Sequence, residues 1–260
     1  MKKKFIVFIL SCLLVVPLFF SGHIASAGDI SFLSFDSPEM IAFDLAFKQY
    51  IASYKNFMEK EKGLKALAKA IRKWDNLNIK ARKQGAYKNL LGRMAVVKGL
   101  LLQAQGLAIQ DRCDEAKEIS IPLRSEFYEL HREFNMLTAE DHMIFFHNGV
   151  IHRAEPLIEE GRYPELKLLI PLIENTMAKF KTPPKGATNV KQYNKRYKTF
   201  LKMVKEYISA IRQANEYVDP EYGAFMIEKK IGDAHIKAHK KFSAIYLSFP
   251  EGMVWPKKKK

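Results

Sequence analysis

Apolar residues recur at three- and four-residue steps along nearly the whole chain, and no segment alternates with the two-residue period of a half-buried strand. Ser37-Pro38-Glu39 supplies a cap and a first-turn proline. The helix it opens carries Ile41, Leu45, Ile51, Tyr54 and Met58. A second helix carries Leu64, Leu67, Ile71, Trp74 and Leu77 and stops at Gly85. A third spans Ala86 to Ile109, and a fourth spans Asp114 to Leu137 with Ile119, Leu123, Phe127, Leu130 and Phe134 on one stripe. Thr138, with Asp141 three residues on, forms a capping-box-like start to a helix that runs to Gly161. A shorter helix spans Glu165 to Phe180. Two more, Val190 to Tyr217 and Pro220 to Ser248, are divided by Asp219-Pro220.

The pattern predicts an all-α protein, a multi-helix bundle of about eight helices stacked as antiparallel hairpins. Its main body covers residues 28–181, and residues 182–189 form a Pro/Gly linker around Pro183-Pro184. A C-terminal hairpin, 190–248, packs on the same bundle, and 249–260 is a basic tail. A gapless shift of 49 residues aligns Met94 with Met143, Ile109 with Ile158, and Ile121-Pro122-Leu123 with Ile170-Pro171-Leu172. That echo suggests two hairpins, 86–137 and 138–181, each with a proline kinking its second helix.

The N-terminus changes the picture of compartment. Lys2, Lys3 and Lys4 precede the apolar run Phe5 to Phe20, and Ala25-Ser26-Ala27 is a small-residue cleavage pattern. Together they read as a bacterial-type secretory signal peptide, residues 1–27, cleaved after Ala27, which sends the chain to the periplasm or the exterior. The mature part has 233 residues and no further run long and apolar enough to span a membrane. It keeps one cysteine, Cys113, which can form no internal disulfide and is either free or paired with another molecule.

Charge is the strongest bulk feature. The formal net charge is +15, and the leading segment contributes three lysines and no acid, leaving about +12. Between Glu174 and Glu206 there are nine cations and no acidic residue. Lys191, Lys195, Arg196, Lys198, Lys202 and Lys205 form the densest part, interleaved with Tyr193, Tyr197 and Phe200. This is an expected anion-binding face for an acidic protein, a lipid head group or a cell-wall polymer. Export disfavours nucleic acid.

Seven histidines carry the candidate chemistry. His142, His147 and His152 lie five apart. On a regular α-helix, five residues turn about 500°, so neighbours in that series point about 140° apart. The run by itself therefore makes no single site, and only His147 shares the core face of Met143, Val150, Ala154 and Leu157. His235 and His239, at i and i+4, are about 40° apart, the spacing at which two imidazoles share an ion. A metal site on that pair needs further ligands, with His147 and then His131 as candidates. A transition metal or haem b is the cofactor such a set would take.

A single mature cysteine excludes covalent haem attachment through C-x-x-C-H and cysteine-rich zinc sites. Glu-x-x-His, H-E-x-x-H, G-x-S-x-G and the phosphate-binding glycine motifs are absent. The sequence alone leads to an exported, non-catalytic helical binding or scaffold protein with a basic surface. The alternatives are a histidine-ligated metal- or haem-binding bundle of the cell envelope, and an enzyme of unknown reaction type. No residue is assignable as nucleophile or general base.

Overall fold

A computed structural model describes residues 29–54, 60–185, 187, 189–214 and 222–247. The signal segment, Met58, the Asp219-Pro220 division and the basic tail lie outside these residues. Every regular element among the described residues is helical: α1 (Pro38–Tyr54), α2 (Lys60–Lys83), α3 (Lys88–Ile109), α4 (Cys113–Glu118), α5 (Ser120–Glu133), α6 (Ala139–Phe145), a π-helical turn (Phe146–Ile151), α7 (His152–Glu159), α8 (Tyr163–Leu168), α9 (Ile170–Lys179), α10 (Val190–Gln213) and α11 (Tyr222–Tyr246). A 3-10 turn, Ser31–Leu33, precedes them. No described helix is long and apolar enough to cross a membrane.

Local chemistry sets the boundaries. The Ser37 hydroxyl accepts from the Met40 amide at 3.1 Å, capping α1 above Pro38. Four helix ends close with the same i to i−5 backbone bond: Ala86 to Ala81, Arg112 to Leu107, Met136 to His131 and Arg162 to Leu157. Each needs a left-handed residue, supplied by Gly85, Asp111, Asn135 and Gly161. The Thr138 capping box is present with aspartate at its third position: the Asp141 carboxylate accepts from the Thr138 amide at 2.7 Å.

Three expected continuous helices are interrupted. The segment read as 114–137 breaks at Ile119 into α4 and α5, and the segment read as 165–180 breaks at Leu169 into α8 and α9. Pro122 and Pro171 cannot donate to the carbonyl four residues back and their rings crowd it. They therefore sit in the first turn of a new helix instead of kinking an old one. The local geometry of these units repeats at a spacing of 50, not 49: the Arg112–Glu115 and Arg162–Glu165 ion pairs, and the buried Ala116 and Leu166, are each 50 residues apart. The third interruption is the π-helical turn, within the helix read as 138–161.

Two aromatic hubs anchor the core. The Phe127 ring meets Phe35, Phe43, Phe47 and Trp74, with centroids 5.4–5.9 Å away. The Phe146 ring, first residue of the π turn, meets Phe180, Phe200 and Phe242 at 5.3–5.6 Å. A polar cluster is buried with them: Lys48 pairs with Asp44 at 2.8 Å and with Glu140, and its ammonium lies 4.3 Å from the Tyr246 ring centroid. Burial raises the pKa of Asp44 and raises that of Glu140 well above the usual carboxyl range. Pro184 and Ala187 of the linker are buried, so the linker packs against the core.

Candidate metal centre

The π turn rearranges the histidines. A π turn closes its hydrogen bonds from i to i+5. One such turn takes up most of the interval between His147 and His152, so both rings return to one side. Their centroids are 4.4 Å apart, which corrects the expectation that His147 and His152 point about 140° apart. The 140° separation assumed an α-helix throughout, and the chain is not α-helical between Phe146 and Ile151. Local sequence accounts for the wide turn in part. Gly149 packs under the Phe145 ring, where a Cβ would come within 3.0 Å. Pro156 cannot donate to the His152 carbonyl, so the regular ladder is also interrupted one turn later.

His239 of α11 completes the group. Its Nε2 lies 3.1 Å from His147 Nε2, and its ring centroid is 5.6 Å from that of His152. The imidazoles of His147, His152 and His239 each offer a nitrogen within 4.8 Å of the others. Two nitrogens on a tetrahedral zinc with bonds of 2.0–2.1 Å are about 3.3 Å apart, so the closest pair already stands near ligand spacing.

Second partners fix the rings. Asn148 donates its amide to the Ile121 carbonyl and the Ser125 hydroxyl, both at 2.9 Å. That leaves its oxygen to accept from His147 Nδ1 at 2.8 Å. His147 thus carries its proton on Nδ1 and turns the Nε2 lone pair toward His239. Burial holds the His147 pKa well below the usual imidazole value, with the Arg124 charge the next cause, so the ring is neutral at physiological pH. His152 Nδ1 donates to Glu155 Oε2 at 2.8 Å. Hydrogen bonding from His152, and next from the His235 ring, holds the Glu155 carboxyl well below its usual range. Carboxylate and amide oxygens behind metal-facing imidazoles are the usual outer sphere of a histidine metal site.

A second set lies on the other side of His239. Glu155 Oε1 is 3.5 Å from His235 Nε2 and 3.9 Å from His239 Nδ1. His235 is buried, its Nε2 faces the Glu155 carboxylate at the long end of hydrogen-bond range, and its Nδ1 has no hydrogen-bond partner. The structure therefore brings His147 beside His239, whereas His235 belongs to the other set, so the expected trio of His235, His239 and His147 does not form one group. His131 is elsewhere: its Nδ1 meets Asp141 at 2.6 Å and its Nε2 meets the Leu33 carbonyl at 2.8 Å, so both ring nitrogens are engaged away from the group. His142, half-buried, also stands outside the group.

His147, His152 and His239 line a cleft of about 150 Å³ with Arg124, Tyr246 and Ser120. Sequence reasoning set His152 aside because it lies off the core face, and Arg124 and Tyr246 escaped it. The five-residue interval, with Gly149 inside it and Pro156 after it, was the available signal for a π turn.

On α10, Lys191, Lys195, Lys198, Lys202 and Lys205 are exposed, and Arg196 is half-buried with a bond to the Ala244 carbonyl at 3.3 Å. The interleaved Tyr193, Tyr197 and Phe200 are core residues. They are not part of that surface. Cys113 is free and half-buried. No protein-family model, curated protein or solved structure matches this chain.

Proposed function

We propose that the protein binds one divalent first-row transition ion, with zinc-like ligand preference, through His147, His152 and His239. The observation that carries this reading is the convergence of three imidazole nitrogens within 4.8 Å from the π turn, α7 and α11. Three histidines leave one tetrahedral position open, the arrangement of reactive rather than structural zinc. The cleft supports that side of the reading, because it gives the open position room. Haem b fits poorly: about 150 Å³ is well below the 300–1,000 Å³ of sites for larger organic ligands. Equilibrium dialysis of the purified protein against zinc tests the proposal. One ion per chain is expected, and binding that stays weak and non-stoichiometric counts against it.

A second reading has its own observation. The exposed lysines of α10 fall in a stretch with no acidic residue between Glu174 and Glu206, which favours an anionic partner. With the signal-like N-terminus, this fits an envelope or secreted protein docking on an acidic protein, lipid head group or cell-wall polymer. Association with the envelope fraction is expected to weaken steeply with salt. Neutralising Lys195, Lys198 and Lys202 to glutamine should weaken it at low salt, and binding indifferent to both changes sinks this reading.

A further inference from the structure

Among the described residues, Arg124 is a buried cation with no carboxylate in ion-pair contact. It is 5% exposed, and its described hydrogen bonds go to the Ser120 carbonyl at 3.0 Å and the Ser120 hydroxyl at 3.3 Å. Its guanidinium carbon lies 5.5 Å from the Tyr246 ring centroid. The Tyr246 hydroxyl is itself buried and faces this guanidinium, with no partner at good hydrogen-bond geometry. A buried charge is normally paired with an opposite one. Both side chains line the cleft that His147, His152 and His239 also line. Lys117 and Glu118 also line it, 3.6 Å apart, and Glu118 acts on Arg124 only through space. The buried carboxylates Asp44 and Glu140 are engaged by Lys48.

We infer that the cleft takes a ligand with a small oxyanion head, a carboxylate or a phosphate. One oxygen fills the open position of the ion held by the three histidines, and the others accept from Arg124 and the Tyr246 hydroxyl. This assignment rests on the metal reading and adds the substrate class. The guanidinium fork suits both oxyanions, presenting parallel donors to two oxygens at once. Size limits the ligand: about 150 Å³ equals the liquid volume of roughly five waters. The cleft holds an oxyanion head and little more, and any larger body must extend toward solvent.

The test uses cobalt(II) in place of zinc, so that the ion's visible spectrum reports its open position. Inorganic phosphate and acetate are titrated separately into cobalt-loaded protein, which also tells the two oxyanions apart. A saturable spectral change with either is expected. Arg124→Met should still take up one cobalt but need at least roughly ten times more anion, the worth of a hydrogen bond to a charged group. Tyr246→Phe removes only the hydroxyl and should shift the titration in the same direction, which keeps the test open if Arg124→Met fails to fold. Cobalt uptake with a spectrum indifferent to both anions overturns this inference and leaves the metal reading standing. If no cobalt binds, the metal reading has failed, and thermal melting of the metal-free protein with phosphate or acetate decides the anion subsite. Stabilisation lost in Tyr246→Phe supports it, and no stabilisation overturns it.

Discussion

Replacing His239 with alanine abolishes stoichiometric zinc binding, with an affinity loss well beyond 100-fold. The comparison is with partners behind the ligands, whose removal typically weakens metal sites by about 10–100-fold. His239 faces His147 through Nε2 and Glu155 through Nδ1, so it belongs to both candidate ligand sets. The half-buried ring can be removed without emptying the core, and circular dichroism should be unchanged. The neighbours then separate the sets. His152→Ala should match His239→Ala, whereas His235→Ala should cost less than about tenfold. Asn148→Ala frees the His147 ring and should fall between them, within the 10–100-fold range of outer partners. The reverse order, with His235 essential and His152 dispensable, moves the ion to Glu155, His235 and His239.

The second large effect is on stability. Lys48→Met should destabilise the fold by about 3–5 kcal/mol near neutral pH, the range for breaking a buried ion pair by removing one partner. For a chain of this size that is a melting-temperature drop of roughly 6–20 °C. The loss comes from Asp44 and Glu140, which stay buried without the cation that favours their charged forms. The pH dependence has a definite sign. Burial raises both carboxyl pKa values in the fold, so the native state holds protons that the unfolded chain releases. Their contribution is intact below the ordinary carboxyl pKa of about 4 and is lost as pH rises through the folded values. Removing Lys48 deepens that loss on the alkaline side. The gap between variant and wild type should therefore be wide near about pH 7.5 and narrow near about pH 4.5. Thermal melts at both values check this, and a gap that widens toward acid contradicts it.

Much of the helical layout was legible because it rests on local rules. Apolar periodicity located the helices, Ser37 and Thr138 opened theirs as caps, and Gly85 and Gly161 closed theirs in the left-handed conformation. His147 is buried, as its place on the apolar stripe predicts, and His235 and His239 stand one turn apart because α11 is regular. The same rule failed where the backbone departs from it. Within Phe146–Ile151 the wider turn changes which residues share a face, and no periodicity argument that assumes an α-helix can reveal it. Prolines misled for a related reason. Pro122 and Pro171 looked like kinks in long helices because pattern alone does not show whether a helix bends or restarts.

Buried charge was the least legible feature. Asp44 and Lys48, at i and i+4, look like a surface pair, and Arg124 looks like one more solvated cation in a basic chain. What buries them is the packing of α1, α5, α6 and α11, set by residues distant in sequence. The basic stripe of α10 illustrates the converse. Its lysines are exposed as the charge pattern suggests, but its aromatics serve the Phe146 hub rather than the surface.

X-ray absorption at the zinc edge of protein loaded with one zinc ion tests the central claim most directly, because it counts imidazoles around the ion. Three histidine nitrogens at about 2.0–2.1 Å and a fourth, lighter-scattering position are expected, falling to two histidines in His152→Ala. A zinc ion with fewer than three histidines in the wild type, or a histidine count unchanged in His152→Ala, contradicts a site built across the π turn.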